Sequence, residues 1–91
     1  MFITIKNNPV FQEDCKKFQE IIDGAKDDQE KTYNQKLYER FLSVANELDN
    51  SVEKLSVSML EYEQHNSIRD QLISIKKQLY ERFTEMKRTH V

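Results

Sequence analysis

A chain of 91 residues, 37% hydrophobic and 33% charged, has material for one small domain with an adequate rather than generous core. One glycine excludes a phosphate-cradling glycine loop, one cysteine excludes an intrachain disulfide, and a net charge of −2 demands neither nucleic acid nor an anionic membrane. The apolar residues are periodic rather than sparse, which suits amphipathic helices and argues against disorder.

In chain order, residues 2–6 alternate in a strand-like way, with Ile3 and Ile5 on one side and Phe2 and Thr4 on the other. A single short strand has no sheet to join in an otherwise helical chain. Residues 1–8 are therefore expected to form an arm laid on the helices. The alternative is a short strand that pairs with a symmetry mate or a partner's sheet edge. The opening residues lack a basic leader and a long apolar run, so they are not read as a signal peptide.

Asn8-Pro9 reads as a helix start: Asn caps exposed N–H groups, and Pro loses nothing at the first helical position. Phe11, Cys15, Phe18 and Ile22 then fall on one face, predicting a helix over residues 9–23. Cys15 lies inside that stripe as a small buried hydrophobe. Gly24 is expected to close the helix as a left-handed cap.

Asp27, Asp28 and Glu30 favour the positive end of a second helix. Its stripe is Leu37, Phe41, Val44, Leu48, Val52, Leu55, Met59 and Tyr62, predicting a helix over 28–64. Asp49-Asn50-Ser51 is a turn signal, but the stripe passes through it in phase. The break is placed instead at Gln64-His65-Asn66-Ser67, where Ser67 and Asp70 have capping-box spacing. A third helix over 67–89 carries Ile68, Leu72, Ile75, Leu79, Phe83 and Met86, with His90 next in phase.

The fold class that follows is all-α: a short N-terminal helix and a long antiparallel helical hairpin, three-helix and coiled-coil-like, forming a dimeric bundle. Steps of 4, 3, 4, 4, 3, 4 in the third helix repeat over eleven residues, which implies nearly straight winding. The pentapeptide Leu-Tyr-Glu-Arg-Phe occurs at 37–41 and at 79–83, an offset that does not match the stripes, so it reads as coincidence. Phe41, Leu48, Leu55, Leu72, Leu79 and Phe83 are the predicted core.

Charge is unevenly spread. Residues 32–64 hold three basic and six acidic side chains, and residues 65–91 hold six basic and three acidic ones, as two mutually attracting helices would.

His65 and His90 have no ligand-spaced companions, so no metal site is expected. No nucleophile–base pairing is visible, the carboxylates scatter around solvent faces, and no cofactor is implied. The chain is read as non-enzymatic and cytoplasmic, with no membrane partner, since no apolar run approaches spanning length. Its composition, rich in Ile, Lys, Asn and Glu, fits an AT-rich bacterial or phage genome.

The expected function is protein–protein interaction, as an adaptor, inhibitor or assembly factor with regulatory character. The expected partners are a second copy of the chain and an unidentified protein, bound through Tyr38, Leu42, Val57 and Leu60. The alternative is a nucleic-acid-binding regulator using Arg69, Lys76, Tyr80, Lys87 and Arg88, a basic ridge containing an aromatic.

Overall fold

The computed structural model describes residues 4–52 and 59–89. Among them are a 3-10 turn at Ile5–Asn7 and three α-helices: α1 (Pro9–Asp23), α2 (Asp28–Val52) and α3 (Met59–Thr89). The molecule measures 49 × 24 × 17 Å with a radius of gyration of 15.0 Å. A compact chain of this length would have a radius near ~12 Å, so the domain is a short rod.

Helix α1 starts as the sequence dictates. The Asn8 side-chain oxygen accepts the Val10 N–H at 2.8 Å, and Pro9 occupies the first position. The start of α2 is also capped: Asp27 Oδ1 accepts the Glu30 N–H at 2.8 Å, and Glu30 Oε2 accepts the Lys26 N–H at 3.0 Å. Each carboxylate sits where the helix exposes unpaired donors and its positive end.

Two polar pairs set the hairpin register. His65 Nδ1 lies 2.7 Å from the Ser51 hydroxyl oxygen, and Arg82 Nη1 donates to Asn34 Oδ1 at 3.0 Å. Both fit one antiparallel register, in which each step forward in α2 is a step back in α3. That register sets Leu37 level with Leu79, Phe41 with Ile75, Val44 with Leu72, and Leu48 with Ile68. The 4, 3, 4 spacing reads the same in both directions, so the two stripes mesh along the whole pairing. Helix α1 lies in the groove on one side, parallel to α3 and antiparallel to α2. The core is Phe18 and Ile21 of α1, Phe41 and Val44 of α2, and Ile75 and Leu79 of α3. Of the predicted core, Phe41, Leu48 and Leu79 are buried, Leu72 and Phe83 are half-buried, and Leu55 lies outside the described residues.

Three expectations need correction. The hairpin turn is not at residues 64–67, which are helical within α3 (Met59–Thr89). The capping signature of Ser67 and Asp70 is overridden because both side chains are exposed while half-buried His65 and Ile68 pack toward α2. Packing of a paired stripe outweighs a local cap of about 1 kcal/mol. The predicted continuation of α2 through 53–58 falls outside the described residues.

For the arm, it is the strand alternative that needs correction. Residues 5–7 form a 3-10 turn rather than a strand, and residues 1–3 lie outside the described residues. Asp49 explains the turn: its carboxylate accepts the Ile5 N–H at 2.7 Å and the Lys6 N–H at 3.3 Å. A residue that reads as a turn signal in the sequence thus caps a helical turn 44 residues upstream.

Gly24 ends α1 at φ −96° and ψ 10°, not in the left-handed region. Its requirement is close approach. A Cβ here would lie 2.8 Å from Met86 Sδ and 3.1 Å from the Glu20 carbonyl oxygen. Gly24→Ala is expected to cost about 1 kcal/mol in urea denaturation, the magnitude of modest overpacking. Shortening Met86 to Ala should cancel most of that penalty in a double-mutant cycle. A penalty unchanged by Met86→Ala would point to the Glu20 carbonyl oxygen as the clash instead.

Candidate interaction surface

The repeated pentapeptide has a structural use. In the meshed register the two copies meet at Leu37 and Leu79 and extend from there toward opposite ends of the hairpin, which brings Tyr38 and Tyr80 to nearby levels. Tyr38, from the first copy, hydrogen-bonds the sulfur of Cys15. Tyr80, from the second, donates its hydroxyl to Asp14 Oδ1. Adjacent α1 residues are therefore held by equivalent tyrosines on α2 and α3. The phenylalanine ending the first copy, Phe41, stacks on Phe11 at 5.3 Å and meets Phe18 edge-on at 5.1 Å.

Asp14 is the centre of the polar part of this seam. It is 3% exposed, and Lys76 Nζ lies 2.8 Å from its second oxygen. The Tyr80 ring meets Phe18 edge-on at 5.1 Å, and the ammonium groups of Lys17 and Lys76 lie 5.5 and 6.0 Å from its centroid. A second α1–α3 pair, Lys87 with Glu20 at 3.4 Å, is more than half exposed on both sides. Such a surface pair contributes ~0–1 kcal/mol. Truncating a buried phenylalanine such as Phe18 costs ~3–5 kcal/mol, so apolar filling dominates the seating of α1.

This geometry accounts for the ionisation of the seam. Burial pushes the Tyr80 hydroxyl up to about 12, aided by its bond to Asp14 and by the negative charges of Asp14 and Glu13. Burial likewise pushes Tyr38 up to about 12, with the bond to Cys15 reinforcing it. The Cys15 thiol is raised by burial and by the Asp14 charge, against an opposing contribution from Tyr38. A raised, half-buried thiol is a packing group rather than a reactive one.

The sequence-predicted residues divide clearly. Of the basic ridge, Lys76 and Tyr80 are engaged by Asp14, and Lys87 by Glu20, all within the molecule. Arg69 is exposed, with its neighbour Asp70 at 3.7 Å, and Arg88 is exposed. Of the predicted partner surface, Tyr38 is half-buried against the core and Leu42 is 37% exposed. Val57 lies outside the described residues, as does the side chain of Leu60. Tyr38 and Leu42 line one open groove with Ile22, Asp23, Lys31 and Glu39, on the outer side of the α1–α2 seam.

Asp14, Asn34 and Arg82 are structurally central and were not anticipated. Their signal was present: Asp14 precedes Phe18 by four, and Asn34 precedes Leu37 by three, so both are polar residues in phase with an apolar stripe. Asn34 is 1% exposed, donates to the Ile21 carbonyl at 3.4 Å and accepts from Arg82, whose guanidinium also covers the Tyr33 ring at 4.0 Å.

A cavity of about 70 Å³ lies where α1 turns into α2, bounded by Ile21, Gly24, Asn34, Arg82, Glu85 and Met86. Ligand sites usually occupy ~300–1,000 Å³, so this space suits water rather than a substrate. Among the described residues no group of three or more His, Cys, Asp or Glu side chains is placed to hold a metal ion, and no helix is long and apolar enough to cross a membrane. No protein-family model, no curated protein and no solved structure matches the chain, so geometry alone carries the functional reading.

Two outcomes follow from the Asp14 cluster. Asp14→Ala removes the shared acceptor of Lys76 and Tyr80 and should cost about 2 kcal/mol, reduced from a fully buried pair because Lys76 can turn to solvent. Replacing Asp14 and Lys76 together by Leu should recover most of that loss, because well-packed apolar side chains substitute for a buried pair. A urea midpoint for Asp14→Ala equal to that of the parent would refute the assignment. In alkali, the folded state keeps the Tyr38 and Tyr80 protons to about 12 while the unfolded chain releases them near ~10. The unfolded state then binds fewer protons, so stability should fall as pH rises between those values. Near-ultraviolet absorbance should show Tyr38 and Tyr80 titrating late, and Tyr80→Phe should remove its share of the late change.

Proposed function

We propose that the protein is a small, non-enzymatic protein–protein interaction module acting through its helical surfaces, with a second copy of the chain as one partner and another protein as the regulated target. The observation that carries this reading is the open groove on the α1–α2 seam, where Ile22, Tyr38 and the partly exposed Leu42 line one opening together with Gln19, Asp23, Lys31, Gln35 and Glu39. A partly exposed leucine and a tyrosine among polar and charged side chains are a composition that a docking surface for a helix or an extended peptide can use. The rod-like shape supports it further. Helix α1 covers ~22 Å of a 49 Å molecule, so the hairpin extends beyond it.

The nucleic-acid reading draws less support. Three of its five residues, Lys76, Tyr80 and Lys87, already have partners in α1, which leaves Arg69 and Arg88 to meet phosphates. Two exposed arginines carry little of the multiple-phosphate neutralisation that non-specific binding requires.

Leu42→Glu separates these readings. Because Leu42 is partly exposed, the variant should fold with a thermal midpoint close to the parent's. It should weaken self-association in light scattering at micromolar concentration, and capture of the partner from host extract, on the order of tenfold, about 1.4 kcal/mol. A monomeric parent whose captured proteins are unchanged in the variant would remove the groove from the interface. Retardation of mixed RNA or DNA at moderate salt, lost on replacing Arg69 and Arg88 by Ala, would favour the nucleic-acid alternative instead.

A further inference from the structure

We draw no further inference here: the strongest candidate, the outer flank of the α1–α3 seam where Val10 and Ile73 stand exposed, is an unpartnered apolar face, and nothing in the structure shows what covers it.

Discussion

Phe18 sits where the three helices meet, fully buried, with the Phe41 ring of α2 and the Tyr80 ring of α3 each edge-on to it at 5.1 Å. A two-helix hairpin exposes one side of its apolar stripes, and at this size it cannot bury enough of them alone. Filling the groove with one aromatic side chain converts that exposed side into a core. The Phe18 position also fixes the height of α1 on the hairpin. With Phe18 seated, Phe11 stacks on Phe41, Asp14 reaches Lys76 and Tyr80, and Gly24 meets Met86.

The polar groups in the seam then have a role that their energies alone would not suggest. A buried ion pair contributes little net stability over an apolar pair of the same volume. Apolar stripes, however, tolerate sliding by a turn, whereas a buried carboxylate tolerates only the position that gives it a lysine and a hydroxyl. Asp14 on α1 and Asn34 on α2 each occupy a stripe position that a hydrophobe could fill. Each is satisfied by a side chain of α3, Lys76 or Arg82. Together they specify where both other helices rest on α3.

The all-α class and both helix starts were legible because caps and periodicity are local signals, set by Asn8-Pro9, by Asp27 with Glu30, and by stripes at steps of three and four. The hairpin turn was not legible, since a capping box at Ser67 and Asp70 looks the same in sequence whether or not the opposite helix holds the segment in place. The pairing of His65 with Ser51, 14 residues away, and the packing of Ile68 decide against a break there. Asp49 is a similar case, a turn residue whose actual use is to cap a turn at the far end of the sequence. Gly24 shows that a residue type can be placed correctly for the wrong reason: the position wants no side chain because of Met86, not because of its φ. For the candidate surface, Leu42 was readable as an off-stripe apolar residue, whereas the groove around it depends on where α1 lies.

The same packing rules that conceal the basic ridge leave the α1–α2 side open. On the α3 flank, Lys76 pairs with buried Asp14 of α1 and Lys87 pairs at the surface with Glu20, so these two charges meet acids of the same molecule. On the α2 flank the corresponding contact is Tyr38 to Cys15, a neutral pair, with Leu42 and the groove's charged residues beside it. The two seams of α1 are thus unlike in chemistry: one is closed by ion pairs, the other is bordered by an apolar residue with room beside it. On the proposed reading, that asymmetry gives the module a single docking side. A partner helix laid there would meet Leu42 and Tyr38 without displacing any charge pair that holds α1.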